Sequence, residues 1–344
     1  MIVAAGLAWY ARAMNTYLSH TSALEWLART PEKALALAAS DHRRRLPRRN
    51  GAGIPCAGKA SRAVIDGLAA SGVGCLAVPV HVLVPSDRCR TRCAAARCHV
   101  RSGGFPAHSF IPAAAGTFSS SPELAFVQMA ETLDSPRLVK LGDELCGTYG
   151  IETVGIVDFD RESPFTTVER LERFLLKAER MPGLEKARRA ARRIAPGSAS
   201  PMETAVILLF CLPPRLGGYG LPLPAMNGRA NLKKQAGLKP SDKRYRCDLL
   251  WTDAGIAVEY DSFLHHSSRA ELANDAMRRN DLLARNVTVV SITGRTVWNL
   301  IELDRIARLL AKRLGKRLDV GGSGWRKAQH ELHGMLTGPF FSER

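Results

Sequence analysis

Between Tyr245 and Ser262 the chain reads YRCDLLWTDAGIAVEYDS, two apolar and branched runs around the turn-type residues Thr252, Asp253, Ala254 and Gly255. This pattern predicts a β-hairpin with strands Tyr245–Trp251 and Ile256–Asp261, closed so that Trp251 pairs with Ile256. Paired numbers in an antiparallel ladder keep a constant sum, so Asp248 falls opposite Glu259. Because side chains alternate along a strand, Asp248, Glu259 and Asp261 share one face and Leu249, Trp251 and Val258 take the other. Like charges placed directly opposite destabilise a sheet, so the pattern calls for a cation, raised carboxyl pKa values or an open solvent face. A divalent ion is the functional reading, and a solvated outer face carrying ordinary acids is the plain one.

The same reading of apolar spacing gives the other elements. Tyr17–Arg29 predicts a short helix with Ser19 or Thr21 as cap and Leu24 and Leu27 inward. Cys75–Pro85, CLAVPVHVLVP, reads as a strand, and the stretch from Ser119 onward as two packed helices opened by Ser-Ser-Pro-Glu. Phe165–Ala195 is charged and helical with a break at Met181-Pro182-Gly183, and reads as a connector able to lie along a phosphate backbone or simply to be solvated. In Ala199–Leu212, Ser200 at the cap, Pro201 at the first position and Glu203 form a capping box. A short strand is expected near Tyr219–Leu223, followed by a basic loop. A helix from about Arg269 to Arg285 places Asp275, Arg278, Arg279 and Leu282 on one stripe, where Asp275 can pair with either arginine. Val287–Ile292 reads as a buried strand, and Leu300–Leu318 as an amphipathic helix with Leu303, Ile306, Leu310 and Leu314 inward.

With 344 residues, 46% of them hydrophobic, the chain can bury a sizeable core and suggests two domains. Lys and Arg number 49 against 32 acids, a net charge of +17, and 37 of those cations are arginines. This balance favours polyanionic partners, nucleic acid first, although an arginine-rich composition alone produces part of it. The opening MIVAAGLAWYARAM lacks a basic leader and is too short to span a bilayer, so no export signal and no membrane association are expected. Scattered cysteines within apolar runs suit reduced, buried thiols and a cytoplasmic protein. Cys89, Cys93, Cys98 and His99 resemble a metal knuckle only loosely: paired CxxC units are missing, and the arginines between them repel a cation. Asp41–Asn50, DHRRRLPRRN, reads as an exposed loop.

The order helix, weak strand, hairpin bearing Asp and then Glu-x-Asp, helix, strand resembles the PD-(D/E)xK restriction-endonuclease-like superfamily. VEYDSFLHHSS followed by DAMRRNDLLARNVTVVSIT is similar to the small endonuclease-like domains related to very-short-patch-repair enzymes. Upstream, SHTSALEWLA, PVHVLVP and SSPELAFVQMAETLDSPRLVKLGDELCGTYG resemble the effector-like domain of AbiEi-type antitoxins, here without the winged-helix segment that such antitoxins usually carry in front. These resemblances imply an α/β (α+β) chain: an antitoxin-like α/β domain over 1–160, a connector over 161–197, an endonuclease-like mixed sheet flanked by helices over 198–318, and a tail over 319–344. They also imply DNA as partner, a protein partner for the first domain, and a link to phage defence or toxin–antitoxin systems. The implied activity is phosphodiester hydrolysis with Mg²⁺ or Mn²⁺ held by Glu203, Asp248 and Glu259. Asp261, which stands where the superfamily often has lysine, would orient water or add a ligand. His265 would act as base, and His266, Arg278 and Arg279 would contact nucleic acid. The competing reading is a non-catalytic, nucleic-acid-binding regulator of antitoxin type whose acids are residual.

Overall fold

The computed structural model describes residues 15–41, 43–54, 61–74, 76–155, 161–229, 246–261, 269–284 and 286–338. Two units, Met1–Arg192 and Arg193–Arg344, each gather their own contacts, and each combines helices with a mixed sheet. Among the described residues no helix is long and apolar enough to cross a membrane.

The first unit is built on strands β1 (Thr16–Leu18), β2 (Val80–Val84), β3 (Ala96–Val100), β4 (Phe110–Ala114) and β5 (Thr117–Ser120), in the order β3-β2-β1-β5-β4. β1 runs antiparallel to β2 and parallel to β5, so the sheet is mixed. Helices α1 (His20–Arg29) and α4 (Pro122–Met129) supply much of the core through Leu24, Leu27, Leu124 and Phe126, all fully buried. Removing such side chains from water is the main driving force for this packing. Helices α2 (Glu32–Ser40) and α3 (Arg62–Ala70) follow α1, and α5 (Ser135–Leu145) follows α4. Asp134 caps α5 through the Arg137 amide. On α5, Lys140 Nζ lies 2.6 Å from both Glu144 Oε1 and Glu152 Oε2. Thr153 Oγ1 donates to the other Glu144 oxygen at 2.6 Å, so a fully buried carboxylate is satisfied on every side.

The expected connector belongs to this unit instead. Helices α6 (Val168–Lys177) and α7 (Leu184–Ala191) break at Gly183, which takes φ +75°, and bury Leu171, Phe174, Leu184 and Ala187. Its cations are partly spent on backbone: Arg188 donates to the carbonyls of Leu175 and Ala178 at the end of α6, and Lys186 to that of Leu133. Basic side chains at helix ends offset the negative end of the dipole, which accounts for them without a phosphate.

In the second unit, α8 (Pro201–Cys211) precedes the meander β6 (Ala225–Arg229), β7 (Arg246–Trp251) and β8 (Ile256–Asp261); α9 (Arg269–Leu283) then leads to β9 (Thr288–Thr293). The sheet order is β6-β7-β8-β9, antiparallel except for the β8–β9 pair. The weak strand lies downstream of its expected place, at Ala225–Arg229. Tyr219 and Leu221 instead donate backbone N–H groups to the Leu209 and Phe210 carbonyls, tying an irregular segment to the end of α8. β9 stands at the sheet edge and is only partly buried, although Ile292 is fully so.

After α10 (Gly294–Trp298) and α11 (Leu300–Arg313), the expected tail forms another helix, α12 (Ser323–Thr337). Its inner face buries Trp325, Leu332 and Leu336, and Trp325 Nε1 donates to the Gly218 carbonyl at 3.1 Å. Gln329 donates to Tyr219 Oη at 2.8 Å, and Tyr219 in turn donates to Asp304 Oδ1 at 2.5 Å. A Cβ on Gly217 would lie 2.2 Å from the Ala328 carbonyl oxygen, so only glycine lets α12 approach this closely.

Candidate functional site

The hairpin has the expected register: Leu249 pairs with Val258, Leu250 with Ala257 and Trp251 with Ile256. Leu249 and Val258 are fully buried on one face. The acid-bearing face is not open to solvent either, because Leu250 and Ala257 pack there with Leu282 of α9 and with Val287. Asp248 and Glu259 emerge at the border of this packing, each about half-buried. A cavity of about 190 Å³ is lined by Asp248, Glu259, Asp261, Arg278, Arg279 and Ser291 among others.

Two of the three remedies expected for facing acids are present. Arg278 Nη2 sits 2.5 Å from Glu259 Oε1 and donates to the Arg246 carbonyl as well, so a cation of the chain itself offsets one carboxylate. Burial nevertheless holds the Glu259 carboxyl above its ordinary pKa against the pull of Arg278, with Asp248 adding to the rise. Burial also raises Asp248, which accepts the Tyr260 backbone N–H at 2.9 Å. Arg246 also acts on Asp248 and Arg279 on Glu259, yet burial outweighs these guanidinium groups and both carboxyls stay raised. Arg279 is exposed on the same cavity, and Asp261 lies at its exposed rim.

Glu203 has a different task from the expected ligand. Ser200 Oγ accepts the Glu203 amide, and Glu203 Oε2 accepts the Ala199 amide at 2.9 Å and Asn227 Nδ2 at 2.7 Å. Asn227 takes φ +48° on β6, between Met226 and Gly228, which pair with Leu249 and Cys247 of β7, and also donates to the Gly197 carbonyl. The residue therefore locks the start of α8 to β6, and it does not line the cavity shared by Asp248, Glu259 and Asp261. Its carboxyl is raised by burial and then by Asp248, so it feels the acidic centre from behind. As a cap, Ser200→Ala is expected to cost about 1 kcal/mol, read as a lower denaturation midpoint. Glu203→Gln should leave any metal-dependent activity unchanged.

His265 and His266 lie outside the described residues, as do Lys239 and Lys243 and the side chain of Asp275. Arg278, expected to partner either phosphate or Asp275, pairs with Glu259. The loose cysteine knuckle does not assemble: Cys98 is paired opposite Val82 and His99 opposite Leu83 on β3, and successive strand side chains turn to opposite faces. Cys89 instead lies 3.5 Å from Ser86 Oγ.

The hard oxygen donors of Asp248, Glu259 and Asp261 suit Mg²⁺ or Mn²⁺ in kind. Their arrangement is less complete. Among the described residues, the one group of three or more His, Cys, Asp or Glu whose ligating atoms all lie within 4.8 Å of one another contains none of these acids. The fit therefore rests on Asp248 and Glu259 with Arg278 displaced. No family model, curated protein or solved structure matches this chain. Fold and site define its class: a mixed α/β chain of two units, the second carrying an acidic hairpin closed by an arginine.

Proposed function

We propose that the second unit is an endonuclease-like domain that binds DNA and hydrolyses its phosphodiester bonds with Mg²⁺ or Mn²⁺, Asp248 and Glu259 holding the ion and Asp261 supporting it. The observation that carries this reading is the pair itself: two carboxyl groups brought together by the hairpin register, raised by burial, and sharing a cavity with only partial compensation. The element order, α8, β6, the β7–β8 hairpin, α9 and β9, supports the reading. Bound there, a divalent ion would supply Lewis acidity and positive charge to a phosphate. Arg278 and Arg279 lie where a guanidinium released from Glu259 can pair with phosphate oxygens, a geometry arginine favours.

One observation favours a second reading. The Arg278–Glu259 pair already supplies a cation to the acids, as expected of a domain that binds nucleic acid without cutting it. Full-length protein incubated with supercoiled plasmid and Mg²⁺, Mn²⁺ or EDTA separates the two. The nuclease reading expects nicking only with metal. Binding that weakens steeply with salt, with no cleavage under any metal, supports the regulator instead.

A further inference from the structure

We propose that His20, His81 and His99 in the first unit form a binding site for one Zn²⁺ ion, with the fourth coordination position open to the cavity beside them. One ring nitrogen from each residue lies within 4.8 Å of the others. The fold brings them together from three elements. His20 opens α1 immediately after β1, whereas His81 and His99 stand on the adjacent parallel strands β2 and β3, with His81 opposite Arg97 and His99 opposite Leu83. Period-two alternation then puts His81, Leu83 and His99 on one face.

Three independent features point to a ligand. His20 Nε2 is buried and has no hydrogen-bond partner among the described residues. Its other nitrogen lies 3.1 Å from Ser19 Oγ, and with that nitrogen protonated Nε2 keeps a free lone pair. Next, His20 holds φ +50°, a left-handed conformation whose cost the surroundings must offset. Finally, His99 Nε2 is hydrogen-bonded to His81 Nδ1 at 3.1 Å, a bond an ion between them would replace, and the His99 ring stacks on His20 at 3.6 Å. Burial first, then the neighbouring charges, lowers His20 to about 3 and His99 to about 4.

Three imidazoles and an open position suit Zn²⁺ better than a hard cation, and a site left open in this way can bind a further ligand. The adjoining cavity, about 370 Å³, is lined by Arg90, Arg97 and Arg101 as well as Glu131 and Gln128, so an anion is the chemistry expected at the fourth position. The arginines weaken the site for the bare ion and strengthen it for the ion with a bound anion.

The test is zinc content measured on untagged full-length protein, stripped with chelator and dialysed against Zn²⁺. The wild type should retain one equivalent. His81→Gln with His99→Gln should lose it, with affinity lowered by at least roughly 100-fold, beyond what loss of an outer partner costs. Cys89→Ser with Cys98→Ser should keep it. Substituted Co²⁺ should give four-coordinate d–d absorption without a thiolate charge-transfer band. Far-UV circular dichroism confirms that the histidine variant is folded, and zinc should raise the melting temperature of the wild type alone. Wild-type protein that holds no zinc, or a folded histidine variant that holds as much as the wild type, overturns the proposal.

Discussion

Asp248→Ala is expected to abolish metal-dependent plasmid nicking, lowering the rate by roughly 10³-fold or more, since a metal ion contributes several kcal/mol to such a reaction and 1.36 kcal/mol is tenfold. DNA binding measured in Ca²⁺ should change far less, because the arginines proposed to meet phosphate remain. The pH dependence has a definite sign. Asp248 and Glu259 titrate above the ordinary carboxylate range, so ion binding should strengthen as pH rises through their raised pKa values and fade below them. Arg278→Ala should act in two opposite ways: it frees Glu259 for the ion and removes a phosphate contact. Titration of metal and of DNA with the same variant reads both effects. A variant that loses DNA binding without gaining metal affinity would show that Arg278 does not compete for the ion position.

The second large effect concerns stability. Lys140→Met leaves Glu144 fully buried without its ammonium partner and Glu152 without its own. Breaking a buried pair in this way costs about 3–5 kcal/mol, a large share of a domain's stability. In the variant, the folded-state pKa of Glu144 lies above its unfolded value, so the folded form binds the proton more tightly. The cost is then present in full above the folded pKa and is removed as pH falls towards the unfolded value. Denaturant unfolding of the variant should show stability recovering as pH is lowered. A loss that is the same at all pH values would mean that packing, not charge, explains the residue.

Much of the second unit was legible because its signals are local. The turn residues and the alternation of Asp248, Leu249, Leu250 and Trp251 specify a register, and a one-residue slip would have turned every side chain to the wrong face. The Ser200, Pro201 and Glu203 capping pattern likewise marks where α8 begins. What was not legible is where a side chain spends its hydrogen bonds. Glu203 reads equally well as cap or ligand, and its bond from Asn227, on a strand later in the chain, commits it to the cap. Arg278 pairs with Glu259 of β8, a contact between helix and strand that no local spacing announces.

The histidine cluster was missed for a related reason. His20, His81 and His99 obey no ligand spacing, and β1, too short to read from periodicity, is what joins them. One signal was present: His81 is the lone polar residue in the apolar strand VHVLV. Of the loose knuckle Cys89, Cys93, Cys98 and His99, His99 alone belongs to the cluster. The supposed tail was misread because the buried face of Ser323–Thr337, with Trp325, Gln329, Leu332 and Leu336, is diluted by glycines and histidines.

The claim on which the functional reading turns is that Asp248 and Glu259 jointly hold a divalent ion. Electron paramagnetic resonance of Mn²⁺ titrated into the full-length wild type and into Asp248→Asn with Glu259→Gln measures it directly. The account predicts that the double variant binds one fewer Mn²⁺ and loses cleavage with it. Identical Mn²⁺ binding curves for the two proteins would contradict it.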